Sequence, residues 1–435
     1  MVWLVLVLAF FLAGLRAETA PARLVLISAH WEGIQYETEH GFREWHRKKF
    51  GQDVEFQWRD VGGGSDSLKF IESEFKQTPG GIGIDLFFGG GYDPYIRLKE
   101  KGLLATHHPS EEILARIPAD INGLPLYDPD HQWFGTALSG FGILYNKRVI
   151  AIRHLQAVSS WEDLCDPALL SWVGSGDPRA SGSSQAMYEI ILQAYGWEKG
   201  WKIITEMAGN IRSFNKNSSM ANKDVTVGET AYALSVDVQG LMQVSVGGPE
   251  NMGYVYPKGA TIINPDSLAI LKGAPNATIA GRFMDFMLSP DGQRLWVKSR
   301  GQPGGPVRFD IPRMTILPEL YPEYPADTKF INPFEVKVAF RYDTGLAKSR
   351  RVVVQNLVGT TVIDLHAEVV RAWKSINRPG RSPEERERLI GEFSRPLLTA
   401  DQAVALAEGD WKDPKKRNRI LLDWQVQAVE KYRKF

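Results

Sequence analysis

Cysteine is almost absent from this 435-residue sequence, which has a single one, Cys165. A lone cysteine excludes an internal disulfide, so the fold must depend on its hydrophobic core even in an oxidising compartment. An excess of charge of either sign is absent too, because 51 basic residues balance 51 acidic ones. The composition therefore offers no overall field that favours nucleic acid or an acidic membrane surface as a partner.

Long apolar runs are also missing beyond the start of the chain, where Val2 to Leu15 carries no charge and small residues follow at Ala17 and Ala20. The run is shorter than the roughly 20 residues of a transmembrane helix. The pattern is typical of a secretory signal. We therefore predict a signal peptide over residues 1–20 and a periplasmic or otherwise exported mature protein, with an uncleaved anchor as the alternative.

The rest of the chain has ordinary globular composition, with 43% hydrophobic and 23% charged residues, and its length indicates two or three domains. Strand-like runs at 23–30, 54–60 and 83–91 alternate with helical patterns, which favours an α/β fold with a mostly parallel sheet. An extended apolar segment at 133–147 then leads to a second α/β region. Further helices are predicted at 183–195, 201–208 and 276–288, a strand at 232–237 and an extended segment at 252–271.

The C-terminal part has a different character. Proline and glycine are frequent from Gly301 to Pro325, which predicts a surface loop. Helical patterns return at 361–375 and 414–434. The apolar stripe of the last helix predicts that it docks on the rest of the protein with a solvated basic face outward.

The stretch GDPRASGSS at 176–184 leads directly into a predicted helix. The first N–H groups of a helix have no internal partners, and the helix dipole adds partial positive charge there, so an anion finds several donors at once. Four residues form this candidate anion site: Ser181, Gly182, Ser183 and Ser184. The alternative is that the serines only cap the helix.

Glycines and polar residues follow other predicted strands. Gly89, Gly90, Gly91 and Tyr92 come after the strand DLFF, and ligands of open α/β sheets bind outside the carboxyl ends of strands. A tight turn is the alternative at these glycines. Asp237 ends another strand and could pair with a ligand ammonium or hydroxyl, or cap the following helix.

Five segments of the sequence resemble the type II periplasmic solute-binding proteins of ATP-driven importers, in particular the group that binds iron(III), polyamines, thiamine or phosphonates. They occur in the family order at 27–45, 85–104, 139–147, 176–184 and 259–293. The resemblance implies a two-lobed α/β fold with mixed sheets flanked by helices, a ligand cleft between the lobes and a helical C-terminal extension. It also implies that His30 and Trp31, at the end of the first strand, contact the ligand, and that an anion binds at 181–184. The alternative for His30 is that it only hydrogen-bonds within the protein.

The same resemblance sets the expected domain boundaries. Lobe 1 would comprise residues 21–138 and 258–435, lobe 2 residues 142–252, and the hinge crossovers residues 139–141 and 253–257. The protein would act as a monomer without cofactor, capture a small, anionic or phosphate-bearing solute, and deliver it to a membrane permease and its ATPase without chemistry.

Three alternative functions are compatible with the sequence. An iron(III) protein would use a bound anion with Asp237 and a tyrosine such as Tyr92, although Val238 and Gln239 stand where iron-binding relatives carry paired tyrosines. A secreted enzyme acting on a phosphate or sugar could use Ser183 as nucleophile, but the sequence has neither a GxSxG elbow nor a P-loop. A sensor lobe for a membrane receptor is the third alternative. No histidine or cysteine pattern predicts a structural metal site.

Overall fold

The computed structural model describes residues 22–435 except 217, 327, 329 and 336–339. The predicted signal peptide lies outside the described residues. Within them, no helix combines the length and apolarity that a membrane span requires.

The strands form a mixed sheet whose order is β2-β1-β3-β11-β6-β9-β7-β8, with β10 paired to β6. Their bounds are β1 Ala22–Ser28, β2 Val54–Arg59, β3 Leu86–Phe88, β4 Asp120–Ile121, β5 Leu124–Pro125, β6 Phe134–Asn146, β7 Val173–Gly176, β8 Ile211–Asn215, β9 Tyr232–Val236, β10 Met252–Val255 and β11 Ile263–Ile270. The pairs β1–β2, β1–β3, β7–β8 and β7–β9 are parallel, whereas β6 and β11 pair antiparallel to their neighbours. The α/β prediction is confirmed, but the sheet is mixed rather than mostly parallel, because β11 runs antiparallel to both β3 and β6, and β6 also runs antiparallel to β9 and β10.

Strand β6 is the structural link between the two halves of this sheet. Its residues up to Gly140 pair with β11, and from Phe141 onward they pair with β9. Nearly all of its residues are buried, as its apolar sequence predicts for a strand covered on both faces. A side chain at Gly142 would place its first carbon 2.2 Å from the carbonyl oxygen of Val255, so the neighbouring strand can approach only because this residue is glycine.

The helices of the described chain are α1 Glu32–Phe50, α2 Gly64–Gln77, α3 Asp93–Glu100, α4 Glu111–Leu114, α5 Lys147–Arg153, α6 Gly182–Tyr195, α7 Trp197–Asn210, α8 Ser218–Thr226, α9 Asp237–Gly247, α10 Ala277–Leu288, α11 Pro290–Val297, α12 Thr344–Val358, α13 His366–Ile376, α14 Pro383–Ser394, α15 Ala400–Glu408 and α16 Pro414–Tyr432. The helices predicted from Ser183, Trp201 and Asn276 correspond to α6, α7 and α10. Short helical turns occur at 162–165, 167–169, 318–323 and 410–412. A π-helical turn at 359–363 follows α12 directly and precedes α13.

The C-terminal helices pack against α6 and α7. The indole N–H of Trp373 on α13 donates to the side-chain oxygen of Asn210 at 2.8 Å, and that of Trp197 donates to the carbonyl of Leu398 at 2.7 Å. The ring of Trp373 also lies against Gly209, where a side chain would clash at 2.3 Å. This part of the extension therefore contacts residues 197–210, which are expected to belong to lobe 2, although the extension itself is expected to belong to lobe 1. Apolar helix faces predict that a helix docks, but not on which neighbour.

Candidate functional site

Two glycine-rich turns meet at the carboxyl ends of β2 and β3. Gly89, Gly90 and Gly91 have φ values of 87°, 90° and 80°, a left-handed conformation that favours glycine. A β carbon at Gly64, the first residue of α2, would lie 2.8 Å from the Cα of Gly90. Gly64 and Gly90 therefore let two backbones touch, and this contact places the start of α2 beside the turn after β3.

The start of α6 lies next to these two glycine-rich turns. Ser181 caps the helix by accepting the Ser184 N–H at 3.3 Å, and the Ser184 hydroxyl donates to the same oxygen at 3.0 Å. A β carbon at Gly182 would have only the Ser65 hydroxyl oxygen within 4 Å, at 3.7 Å. The predicted cap exists, and the first turn of α6 lies directly opposite the first turn of α2.

A third helix, α8, begins beside the first turn of α6. The hydroxyl of Ser183 lies 2.8 Å from that of Ser218, the first residue of α8, and Ser218 in turn donates to the side-chain oxygen of Gln239 at 2.9 Å. The starts of α2, α6 and α8 therefore lie close together. Each contributes the positive end of a helix dipole, which is an arrangement suited to an anion.

Two buried amide groups lie on these helices. Gln185 in the first turn of α6 is 4% exposed, and Asn222 on α8 is fully buried. The side-chain oxygen of each has no hydrogen-bond partner within the described part of the protein. Unpaired buried polar atoms are costly, so these oxygens are available to donors that a bound molecule would bring.

His30 belongs to a charged cluster behind the glycine turn. Its Nε2 lies 2.9 Å from a carboxylate oxygen of Asp266 and 3.2 Å from a guanidinium nitrogen of Arg313. Arg313 also contacts Asp266 at 2.5 Å and donates to the Ser139 hydroxyl at 2.8 Å. Asp266 accepts the Gly91 N–H at 2.7 Å, so the cluster holds the glycine turn in place.

The electrostatics of this cluster favour an ionised carboxylate. Burial alone would raise the pKa of Asp266, but Arg313 and His30 outweigh it and hold that pKa well below its usual range. His30 Nδ1 and Arg313 Nε are buried without hydrogen-bond partners among the described residues. His30 thus lies at the end of β1 as predicted, and its Nε2 is engaged by the protein itself.

Asp237 lies between the two segments expected to form the crossovers, and not at the open face of the site. Its carboxylate accepts the Gly140 N–H at 2.7 Å and the Tyr256 hydroxyl at 3.0 Å, and it is fully buried. Burial raises the pKa of Asp237 to about 7 against the lowering effect of these hydrogen bonds and of Arg313. The side chain therefore connects the two expected crossovers, and it exposes no oxygen to a solute in this structure.

The two predicted aromatic residues have separate surroundings. Trp31 is 38% exposed and its ring makes an edge contact with Phe309 at 5.4 Å. Tyr92 is buried, and burial raises the pKa of its phenol well above the ordinary value. The charges that act on Tyr92 come from Asp93 and Arg351, whereas Asp237 interacts with Gly140 and Tyr256. The structure does not bring Tyr92 and Asp237 together as one ligand pair.

Several residues of this region are not predicted from the sequence as part of the site. Arg313 lies in the proline-rich loop, Asp266 in a buried strand, and Ser65 and Ser218 at helix starts. A serine directly before an apolar helical pattern is a usable sequence signal for the last two. Nothing in the local sequence distinguishes Arg313 from other loop arginines, because its partners are 47, 174 and 283 residues away in the chain.

Comparison with known proteins identifies the family. The profile of bacterial extracellular solute-binding proteins matches residues 82–330, more than half of the chain. The phosphoglycerate transport regulatory protein PgtC of Salmonella typhimurium is 24% identical over 304 residues, which cover 68% of this chain and 71% of PgtC.

Solved structures share the fold. The periplasmic binding protein P5PA superposes with a TM-score of 0.61 at 20% identity, over 79% of this chain and 99% of its own. The periplasmic binding protein AfuA of Actinobacillus pleuropneumoniae, solved with fructose-6-phosphate, has a TM-score of 0.57 at 19% identity, over 81% of this chain and 98% of its own. The predicted periplasmic-binding-protein fold and exported location are confirmed. The chain belongs to the bacterial extracellular solute-binding proteins.

Proposed function

We propose that this protein captures a small phosphate-bearing solute between the starts of α2, α6 and α8, and delivers it to the permease and ATPase of an importer. The observation that carries the proposal is the meeting of three helix N-termini, shown by the proximity of Gly182 to Ser65 and by the Ser183–Ser218 hydrogen bond. A phosphate group offers several acceptor oxygens and negative charge, which matches the serine hydroxyls and the positive dipole ends at these helix starts. The names of PgtC and of the AfuA complex support the same chemical class.

The rest of the solute would contact the neighbouring polar groups. Ser65, Ser183 and Ser218 provide hydroxyls, and the free oxygens of Gln185 and Asn222 favour a solute that also carries hydroxyl groups. Each neutral hydrogen bond contributes about 0.5–1.5 kcal/mol, and more when the partner is charged. The solute would touch residues of both lobes, so its binding favours the closed form that the importer recognises.

No chemical step is part of the proposal. The Ser183 hydroxyl hydrogen-bonds to the hydroxyls of Ser181 and Ser218. Activation of a serine nucleophile requires a positioned base, and these partners are poor bases. The solute should therefore be recovered unchanged after incubation with the protein, and conversion of fructose 6-phosphate or phosphoglycerate would contradict this part of the proposal.

The solute class is tested by calorimetry with matched pairs of compounds. We expect fructose 6-phosphate or phosphoglycerate to bind, and fructose and glycerate to bind at least tenfold more weakly, because the phosphate supplies more than about 1.4 kcal/mol of the binding free energy. Equal affinity for the phosphorylated and unphosphorylated partners would overturn the proposal. A coloured protein with a phenolate charge-transfer band would instead favour the iron alternative.

A variant tests the location of the site. Gly182→Leu should remove phosphate-dependent thermal stabilisation, because the new side chain would project into the space facing Ser65. Gly391→Leu is the matched control, since Gly391 is an exposed helical glycine with no atom within 4 Å of an added β carbon. Unchanged stabilisation in the Gly182 variant would place the solute elsewhere.

A further inference from the structure

The loop that leads into α6 is held by a residue from the C-terminal extension. The guanidinium of Arg179 donates to both carboxylate oxygens of Asp364, at 2.9 and 2.8 Å. The same guanidinium donates to Asp177 at 2.7 Å. Paired, charge-assisted hydrogen bonds of this kind fix the orientation of an arginine as well as its position.

The packing around Arg179 is specific to this contact. A β carbon at Gly359 would lie 2.5 Å from the Arg179 side chain, so the extension admits the arginine at a glycine. Gly359 begins the π-helical turn, and its carbonyl accepts the Asp364 N–H at 2.8 Å, which sets the direction of that carboxylate. Both residues lie beyond residue 330, where the family profile ends.

The arginine in turn shapes the approach to the candidate anion site. Asp177 accepts the Arg179 N–H with its side chain at 2.8 Å, and its carbonyl accepts the Ala180 and Ser181 N–H groups at 3.1 and 2.9 Å. Ser181 is the cap of α6. The chain of contacts therefore runs from Asp364 through Arg179 and Asp177 to the first turn of the helix that faces Ser65.

We propose that Asp364 is a positioning residue for solute binding, and that the C-terminal extension is thereby part of the binding apparatus rather than only a cover for α6 and α7. The proposal rests on the proposed anion site at the start of α6. Asp364 does not contact the solute. It holds Arg179, which keeps the 177–181 turn and the N–H groups of α6 in the orientation that an anion requires.

The test compares Asp364→Asn and Asp364→Glu with Glu387→Gln in the full-length protein. Glu387 is the matched control because it forms an ion pair between the extension and α7, with Lys202 at 2.7 Å, away from the 177–181 turn. Calorimetry with fructose 6-phosphate and phosphoglycerate measures affinity, and thermal unfolding checks the fold. Hydrogen exchange of the Ser181–Ser184 amides in the solute-free protein measures the order of the helix start.

Asp364→Asn should weaken binding of the phosphorylated probe about two- to fivefold, the range expected for a partly exposed ion pair. Its Ser181–Ser184 amides should exchange faster by a similar factor. Asp364→Glu should recover most of the affinity, and Glu387→Gln should leave both measurements unchanged. If the wild type binds the probe and Asp364→Asn changes neither affinity nor exchange, the positioning role is overturned.

The exchange measurement separates this proposal from the proposed function. If neither probe binds the wild type, the proposed solute class fails, but the exchange of Ser181–Ser184 still decides whether Asp364 orders the helix start. A loss of affinity of the same size in Glu387→Gln would show a general effect of loosening the extension and would contradict a specific role for Asp364.

Discussion

At the scale of single residues, Arg313 connects more of the site than any residue the sequence singles out. It joins the end of β1 through His30, strand β11 through Asp266 and the first crossover through Ser139. Its side chain is 3% exposed, so almost no water reaches its charge. A buried charge that loses its partner is costly, because the remaining ion has neither water nor a counter-charge.

Arg313→Met should therefore destabilise the fold by about 3–5 kcal/mol, since Asp266 would keep a buried charge with only His30 and the Gly91 N–H as partners. Urea unfolding at neutral pH measures the loss. Arg308→Met, an exposed arginine of the same loop, serves as control and should change stability by less than about 0.5 kcal/mol. Similar losses in the two variants would contradict a special role for the buried cluster.

How far residues could be predicted depends on whether their signal is local. The serines at 181–184 and the glycines at 89–91 follow from a helix start and from a strand end, and the structure places them where those local patterns indicate. Asp237 also ends a strand, but its role depends on Gly140 and Tyr256, which local sequence does not connect to it. The contact of a solute with the serines at 181–184, with the glycines at 89–91 and with Asp237 remains a prediction.

At the scale of elements, hydrophobic periodicity predicts many of the elements from β1 to α11, but not short ones such as α3, α5, α8 and β8. It predicts the extension only in part. Helices α13 and α16 have apolar stripes that predict them. Helices α12, α14 and α15 are not predicted. Charged and polar residues obscure the apolar stripe of α12 and α14, whereas α15 is a short helix of 9 residues. Those charges form contacts between elements, such as Arg350 of α12 with Glu189 of α6 at 2.8 Å, both nearly fully buried.

A buried glutamate makes the α7–α14 interface sensitive to pH. Glu206 of α7 is 8% exposed, one of its oxygens has no partner in the described residues, and Lys202 is 4.0 Å away. Burial, with the nearby charge of Glu387, raises its pKa from 4.5 to about 7, despite Lys202 and Arg386. Between these two values the unfolded chain is ionised while the folded protein keeps its proton.

The stability that Glu206 contributes is therefore complete below pH 4.5 and falls as the pH rises to about 7, by up to about 3 kcal/mol. Glu206→Gln should match the wild type near pH 4.5 and be more stable at pH 8, because glutamine does not ionise. Urea unfolding at both pH values measures this. Glu198→Gln, an exposed change on the same helix, should show no such divergence, and parallel curves for Glu206→Gln would refute the assignment.

At the scale of the whole molecule, strand β6 and helix α12 connect the two expected lobes in different ways. Strand β6 passes from one set of partners to the other at Gly140 and Phe141, near the crossover that the extended apolar sequence predicts. Helix α12 makes the second connection. Arg350 packs on α6, while Lys348 and Arg351, three residues apart on one helix face, form ion pairs with Glu100 and Asp93 of α3.

Helix α12 should therefore favour the closed arrangement, because opening of the cleft would separate it from either α3 or α6. The double variant Lys348→Glu with Arg351→Glu replaces two attractions by two repulsions. We expect a larger radius of gyration for the solute-free protein in small-angle scattering, and about three- to tenfold weaker binding of the phosphorylated probe, given up to about 1 kcal/mol for each exposed pair.

A matched double variant separates this effect from a change in net charge. Arg381→Glu with Arg388→Glu reverses the same number of charges but disrupts pairs within the extension, with Glu385 and Glu392. It should leave the radius of gyration and the affinity unchanged. The effect of the α12 variant should also diminish in high salt, because the pairs with α3 are partly exposed and therefore screened. Equal behaviour of the two double variants would show that α12 does not restrain the lobes, and hinge motion would then depend on the crossovers alone.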